Sequence, residues 1–202
     1  GFVKKKYKIA ITGRIGSGKS TLSKILIDLG YSVFESDSVV NKILNQKDLI
    51  NEVEINFSNK IKGLIMKNGK INKESLSNFV FSRKLELKKL ESLIYPKLHN
   101  KKEDFIKKHS QKMYLFFDVP LLFEKKLQPH YDFIIYLFAK KHLRYRRVIS
   151  REGMTLEKFR KISKNQQSNI SKYRKFISLK IDMSEDLKTV KRKLQGFMND
   201  IS

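Results

Sequence analysis

A glycine-rich segment near the start of the chain has residue types and spacing that bind phosphate. It reads Gly13-Arg14-Ile15-Gly16-Ser17-Gly18-Lys19-Ser20 and fits the P-loop pattern G-x-x-x-x-G-K-[ST] at every position. Glycines allow successive backbone N–H groups to turn towards one anion, and a helix starting near Gly18 adds its positive dipole end. Lys19 supplies a point charge for the β- and γ-phosphates, and Ser20 supplies a hard oxygen ligand for Mg²⁺. The segment predicts a nucleoside triphosphate site.

Two carboxylates follow apolar runs that are typical of strands. Asp37 comes shortly after Tyr31–Phe34, and Asp118 ends the run that begins at Met113. The carboxyl ends of parallel strands share one edge, so both carboxylates are expected near the phosphate loop. There Asp37 would orient an acceptor hydroxyl and take its proton, or it would cap the next helix; its position is compatible with both roles. Asp118 has the placement of a carboxylate that contacts Mg²⁺ or its waters.

The residues after Asp118 are unusual for a connecting segment. Val119–Phe123 is too apolar for an ordinary surface loop. Glu124, which ends this segment, is either a surface residue or a substrate contact, and the second interpretation is favoured.

A strongly basic stretch follows the next apolar run. Residues 140–161 contain many Lys and Arg residues, opposed only by Glu152 and Glu157. Such a stretch is either a solvated helix face or a lid that closes over phosphates. Arg147 and Arg151 are four residues apart, so they share a face if the helix continues between them. We favour these two as lid arginines, because guanidinium groups match phosphate oxygens.

The order of apolar patterns predicts the architecture that positions these residues. A strand at Tyr7–Thr12, the glycine loop, a helix at Ser20–Leu29 and a second strand form the opening of a parallel α/β sheet. Residues 47–110 show helical spacings and no convincing strand, which indicates an inserted helical lobe. Strand patterns then return, and Ser184 is expected to cap a terminal helix. We predict a three-layer P-loop NTPase-like α/β fold with a core of residues 1–46 and 111–202 and a lid at about 140–175.

Composition narrows the class of protein further. The 202 residues include 44 Lys+Arg against 20 Asp+Glu, for a formal net charge of +24, and no Cys. The absence of cysteine excludes disulfides, thiolate metal sites and a thiol nucleophile. The charge favours anionic partners or reflects a compositional bias of the genome. Because there is neither a membrane-length apolar run nor a signal core, a cytoplasmic protein without membrane association is expected.

The motifs taken together resemble the dephospho-CoA kinase family. The resemblance rests on Ile11–Thr21, on Asp37 and above all on the segment Asp118-Val119-Pro120-Leu121-Leu122-Phe123-Glu124, whose family pattern is D-V-P-L-L-[FV]-E. It continues through Tyr131-Asp132, Arg147, Arg151-Glu152-Gly153-Met154 and Gln166, so that it spans about residues 8–183.

This resemblance implies a reaction and a set of roles. ATP would phosphorylate the ribose 3′-hydroxyl of dephospho-CoA, giving CoA and ADP, with Mg²⁺ as cofactor. Independently of the resemblance, no nucleic acid partner is expected, and a monomer is favoured over an oligomer. The implied catalytic residues are Asp37, Lys19, Arg147 and Arg151. The implied nucleotide-binding residues are Gly13, Ile15, Gly16, Ser17, Gly18, Lys19, Ser20 and Thr21. The implied substrate contacts are Asp37, Asp118, Leu121 and Glu124, and the implied Mg²⁺ ligands are Ser20 and Asp118. The helical lobe would contact the pantetheine arm.

The chain also departs from the family pattern. Arg14 replaces the usual Gly, and Glu35-Ser36-Asp37 replaces D-A-D while keeping the second carboxylate. Three peripheral positions differ as well: Tyr95 for His, Asn169 for Arg and Met183 for Asn.

Two other functions share part of this pattern. A nucleotide or shikimate-type kinase would use the same phosphate loop but does not account for Asp118–Glu124. A nucleic-acid-binding P-loop ATPase would account for the net charge of +24.

Overall fold

A parallel β-sheet forms the centre of the molecule. The structure is a computed structural model and describes residues 5–149, 151, 162 and 170–202. The sheet has five parallel strands, which are β1 Tyr7–Gly13, β2 Ser32–Phe34, β3 Tyr114–Asp118, β4 Phe133–Phe138 and β5 Leu179–Asp182. Their order across the sheet is β2-β3-β1-β4-β5. The predicted α/β fold with a central parallel sheet is therefore confirmed.

The strands are apolar because both faces of the sheet are covered. Ala10, on one face, has no exposed surface, and neither do Ile9, Ile11 and Phe116, on the other. The latter three belong to a core that also contains Leu22 and Leu194, from helices packed against the sheet. Burial on two faces selects near-continuous apolar runs over alternation, which is why these strands were recognisable in the sequence.

The helices packed with this sheet are α1 and α7, and a third helix, α6, lies beside the phosphate loop. Their bounds are α1 Lys19–Asp28, α6 Lys141–Ile149 and α7 Leu187–Ile201, with short 3₁₀ helices at Gln128–His130 and Ile170–Phe176. The prediction that Ser184 caps the last helix is wrong. The cap is Asp186, whose side chain accepts a hydrogen bond from Thr189 N over 2.8 Å. The Ser184 hydroxyl instead accepts a hydrogen bond from Lys140 N.

A second compact unit contains only helices and turns among its named elements. Its helices are α2 Ser36–Ile43, α3 Lys47–Phe57, α4 Lys73–Phe81 and α5 Lys84–Lys108. Leu49, Val53, Phe57 and Leu76 form the centre of its own buried core.

The chain divides into a unit of residues 1–35 with 109–202 and a unit of residues 36–108. The sequence pattern places the first boundary later, at residues 46 and 47. The structure assigns α2 to the helical unit because Val39, Val40 and Ile43 pack into the helical core. Among the described residues, no helix is both long and apolar enough to cross a membrane. Most of the predicted lid after α6, including Gln166 and Asn169, lies outside the described residues.

Candidate functional site

The glycine-rich segment connects the buried end of β1 to the start of α1. Gly16 has φ +76° and Gly18 has φ +108°, a backbone conformation that side-chain-bearing residues rarely adopt. A Cβ on Gly16 would also lie 2.4 Å from the carbonyl oxygen of Arg144. Two independent features therefore require glycine at position 16: the positive φ and the close approach of α6.

The start of α1 is arranged to receive an anion. Gly18 stands at the N-cap without a side-chain cap hydrogen bond, and the first turn contains no acidic residue. The positive end of the helix is thus not neutralised by a capping carboxylate. Lys19 is half-buried, and its Nζ donates to Gly13 O over 3.4 Å, which keeps the ammonium over the loop. Ser20 and Thr21 are exposed.

One buried hydroxyl in the loop also fits a bound polar ligand. Ser17 has no exposed surface, and its Oγ has no hydrogen-bond partner among the residues that the structure describes. A buried hydroxyl without a partner is energetically costly, so such a group indicates that a ligand or water satisfies it. The loop therefore matches a phosphate-binding cradle in its backbone, charge and buried polar atom.

Helix α6 holds the phosphate loop from outside the sheet. Arg147 Nη1 donates to Gly16 O over 3.1 Å, and Nη2 of the same side chain donates to Met183 O over 2.7 Å. Arg144, which is 4% exposed, lies one helical turn earlier and donates to Ile15 O over 3.5 Å. Arg147 thus links the phosphate loop to the end of β5.

Asp118 lies on the strand next to the phosphate loop. In the parallel register it pairs with Ile11, and the next residue, Val119, donates from its backbone N to Ile11 O over 2.9 Å. Asp118 is 6% exposed. A carboxylate at this edge, one strand away from the loop, has the position expected of a ligand to Mg²⁺ or to its water shell.

The apolar segment after Asp118 is a set of turns that faces inward. Leu122 and Phe123 are buried, which explains why the segment is too apolar for a surface loop. Lys125 N donates to Leu121 O, and Leu127 N donates to Leu122 O, so the backbone is closed on itself. Leu121 and Glu124 are half-buried.

A small cavity opens between this segment and the phosphate loop. Its lining residues are Thr12, Gly13, Arg14, Phe123, Glu124, Tyr136 and Ile170. One wall is stiffened by Phe123, whose ring stacks on Tyr173 at 4.7 Å between centroids and 12° between planes. Glu124 lies in the wall of a cavity beside the loop, a placement that fits a substrate contact.

Charged and phenolic groups meet in this cavity. Burial raises the pKa of Tyr136, and the nearby Arg14 and Arg144 guanidinium groups oppose that rise. Burial and the like charge of Arg14 both lower the pKa of Arg144. Sequence reasoning noted Arg14 only as a departure and did not select Arg144 or Tyr136. No local pattern connects these three positions.

Two further predicted site residues are exposed. Asp37 is exposed and occupies the second position of α2, so it belongs to the first turn of that helix and not to its N-cap. It is the second residue of the helical unit and lies three residues after the last residue of β2. Arg151 is exposed and follows the end of α6, and Arg151 N donates to Val148 O.

The peripheral departures have different environments. The Met183 side chain is buried and packs beside Gly18, where a Cβ would meet it at 3.1 Å. Tyr95 is exposed, and its hydroxyl donates to Glu91 on the same helix.

Comparisons with known proteins all match the chain to one family of kinases. The family model described as dephospho-CoA kinase matches residues 7–183. A dephospho-CoA kinase of Fusobacterium nucleatum is 34% identical over 96% of this chain and 97% of its own length.

Solved structures agree with this match. A structure titled as a dephospho-CoA kinase from Campylobacter jejuni is 26% identical, with a TM-score of 0.66 over 98% of both chains. A crystal structure from Thermus thermophilus is also 26% identical, with a TM-score of 0.80 over 98% of this chain and 100% of that one.

Proposed function

Because the chain belongs to the dephospho-CoA kinase family, we propose that it transfers the terminal phosphoryl group of ATP to the ribose 3′-hydroxyl of dephospho-CoA. The bond between the γ-phosphorus and its bridging oxygen breaks, and a bond from phosphorus to the 3′-oxygen forms. The hydroxyl proton goes to a protein base, and the products are ADP and CoA. This is the last step of coenzyme A synthesis.

One observation carries this proposal beyond the family match. The phosphate loop at the end of β1, Asp118 on the adjacent strand and a cavity containing Glu124 all lie at one edge of the same sheet. We propose that this edge supplies an anion cradle, a carboxylate for a metal and, through Glu124, a contact for an acceptor. These are the elements that phosphoryl transfer needs, since catalysis there consists largely of positioning and charge stabilisation.

Different groups of the loop are proposed to bind different parts of the triphosphate. Backbone N–H groups of residues 13–20 and the start of α1 would surround the phosphates, and the buried Ser17 hydroxyl is available to donate to one of their oxygens. Lys19 would stabilise the charge on the transferred group. Ser20 and Asp118 would hold Mg²⁺, directly or through water, since both present hard oxygen atoms at this edge. When bound, the metal neutralises phosphate charge.

Asp37 is proposed as the residue that orients the acceptor hydroxyl and accepts its proton. It follows β2, whose carboxyl end lies at the sheet edge that carries Asp118. Its exposed carboxylate is accessible to a substrate. Leu121 and Glu124 are proposed to contact the acceptor from the segment after β3, and the helical unit is proposed to contact its pantetheine arm.

Arg147 and Arg151 are proposed to act from the basic segment. Arg147 lies beside the phosphate loop through its bond to Gly16 O, so it stands next to the groups it would serve. Arg151 lies just beyond the same helix. We propose that both help to close the site over the phosphates.

The decisive experiment measures ADP release by the purified protein with ATP and Mg²⁺, with and without dephospho-CoA, and determines the mass of the acceptor product. ADP release that depends on dephospho-CoA, with an acceptor mass increased by one phosphoryl group, is the expected result. ATP binding without any turnover of dephospho-CoA would refute the proposed acceptor.

The same assay addresses the other candidate functions. Shikimate and nucleoside monophosphates serve as alternative acceptors, and DNA and RNA serve as alternative stimulants of hydrolysis. The family match favours neither alternative. We expect a monomeric enzyme whose ATP hydrolysis is not stimulated by nucleic acid.

A further inference from the structure

Helix α2 carries two polar side chains on the face that does not enter the helical core. Val39, Val40 and Ile43 pack into that core, whereas Asp37 and Asn41 are exposed. Asp37 and Asn41 are four residues apart, so they are neighbours on the helix surface, with Cβ atoms about 5–6 Å apart. The proposed base therefore has a polar neighbour one turn further along the same face.

A lysine of the same unit is oriented beside Asn41. Lys73 is the first residue of α4, and its Nζ donates a hydrogen bond to Asn41 Oδ1. It is half-buried, whereas Lys67 and Lys70 in the preceding turn are exposed. Because the acceptor is a neutral amide, this bond orients the ammonium group without neutralising its charge. An ammonium group has three N–H donors, and the bond to Asn41 uses one of them.

The backbone that carries Lys73 is fixed on both sides. Asn72 N donates to Leu64 O over 2.7 Å, and the Asn72 side chain caps α4 by accepting a hydrogen bond from Ser75 N over 3.1 Å. Glu74 is exposed, and side chains at adjacent positions of a helix do not face each other. A charged group that is already held in place loses little freedom when it binds a ligand, which favours affinity.

We propose that Lys73 binds the diphosphate group of dephospho-CoA while Asp37 accepts the proton of the 3′-hydroxyl, and that Asn41 is a positioning residue for Lys73. This inference rests on the proposed function, because it takes Asp37 as the base. The diphosphate is the only anionic group of dephospho-CoA, and it is attached through C5′ to the ribose that carries the reacting hydroxyl. Base and cation on neighbouring positions of one face therefore match two neighbouring groups of one ligand. The hydrogen bonds from ammonium to phosphate oxygens are charge-assisted and stronger than neutral ones.

The test compares Lys73→Gln, Lys73→Arg and the control Lys101→Gln. Gln at position 73 still has a donor for Asn41 but carries no charge, so it separates ligand binding from the link between α2 and α4. Lys101 is an exposed lysine of α5 in the same unit. Calorimetry gives the Kd of each protein for dephospho-CoA and for ATP, and thermal unfolding shows whether the variants fold.

Lys73→Gln is expected to weaken dephospho-CoA binding by about tenfold or more and to leave the Kd for ATP unchanged. Lys73→Arg should recover most of the loss because it keeps the charge, and Lys101→Gln should bind both ligands as the wild type does. The Kd of the wild type for dephospho-CoA should also rise more steeply with salt concentration than that of Lys73→Gln, because salt screens an exposed charge contact.

The positioning role of Asn41 is tested by combining variants. Asn41→Ala should weaken dephospho-CoA binding on its own but should add no further loss to Lys73→Gln, because Asn41 acts through Lys73. Independent, additive losses in the double variant would contradict this role.

Two results would overturn the assignment of Lys73. Unchanged affinity for dephospho-CoA in a folded Lys73→Gln protein is the first, even where the unfolding temperature falls, since Lys73 would then only connect α2 with α4. Equal losses of affinity for ATP and dephospho-CoA are the second, since the cation would then not be specific to the acceptor.

Turnover of dephospho-CoA by the wild type tests the proposed reaction separately. Normal turnover with unchanged affinity in Lys73→Gln refutes the role of Lys73 and leaves the reaction standing. Wild-type protein that binds dephospho-CoA through Lys73 without phosphorylating it refutes the reaction and leaves the binding site standing. Wild-type protein that does not bind dephospho-CoA refutes both.

Discussion

Arg147 donates a hydrogen bond to the carbonyl oxygen of Gly16, over 3.1 Å, and so attaches α6 to the phosphate loop. Its second bond, to Met183 O, attaches the same side chain to the end of β5. One guanidinium group therefore joins three segments that are far apart in the sequence. Arg147 therefore connects α6, which leads into the basic segment, to the phosphate loop. We expect it to position the loop in addition to its proposed role in closing the site.

Replacing Arg147 by Ala is expected to loosen the phosphate loop. Charge-assisted hydrogen bonds of this kind contribute about 1.5–3 kcal/mol, so we expect the free energy of unfolding to fall by an amount in that range. ATP should bind more weakly as well. Urea unfolding and calorimetry with ATP provide the measurements. Arg146→Ala on the exposed side of the same helix is the control, and equal effects of the two variants would argue against the positioning role.

Gly16→Ala is expected to be more destabilising than Gly30→Ala. Both glycines have positive φ, so both variants incur a strain of about 1–2 kcal/mol. A Cβ on Gly16 would overlap Arg144 O, whereas a Cβ on Gly30 would meet no atom within 4 Å. The difference between the two unfolding midpoints therefore measures the close approach of α6. Equal midpoints would show that the loop and helix can separate at little cost.

Asp37→Asn is expected to reduce kcat by roughly 10²–10⁴-fold while leaving the Kd for ATP unchanged, because the amide cannot accept the hydroxyl proton. Asp104→Asn, at an exposed position of α5, is the matched control. Steady-state turnover with saturating substrates is the measurement. A rate close to that of the wild type would exclude Asp37 as the base.

Lys19→Ala is expected to lower kcat/KM for ATP by roughly 10²-fold or more, since it removes the cation that lies over the loop. Lys24→Ala changes an exposed lysine of the same helix and should retain activity. Coupled detection of ADP release is sufficient for both. Full activity of Lys19→Ala would contradict the assignment of the loop to triphosphate binding.

The cap of the last helix makes stability depend on pH. The backbone hydrogen bond from Thr189 lowers the pKa of Asp186 below its ordinary value of 3.8. A lowered folded-state pKa contributes stability above the unfolded-state pKa, and this contribution is lost as the pH falls through the folded-state value. Asn also caps helices but does not titrate, so Asp186→Asn should lose less stability than the wild type between neutral pH and about pH 3. Urea midpoints at both pH values test this, and parallel losses would contradict it.

The short-range pattern of the sequence was sufficient to predict the sheet and the phosphate loop. Buried parallel strands require continuous apolar runs, so the strands around Ile9, Phe116 and Ile135 were evident. The loop was evident because phosphate binding by backbone N–H groups requires glycines and a lysine at fixed spacing. Both features are determined by residues that are neighbours in the chain, and sequence patterns report such features directly.

Only the tertiary structure decided which distant residues meet at the loop. Arg147 lies 131 positions from Gly16 and 36 from Met183, and no local spacing connects them. The association of Arg14 with Tyr136 likewise depends on the pairing of β1 with β4, which places Thr12 opposite Tyr136. The helix cap also differs from the local prediction, since the Ser184 hydroxyl accepts a hydrogen bond from Lys140 N and Asp186 caps the helix. Strand register and helix packing act between segments far apart in the chain, so their consequences for single side chains do not appear in any local pattern.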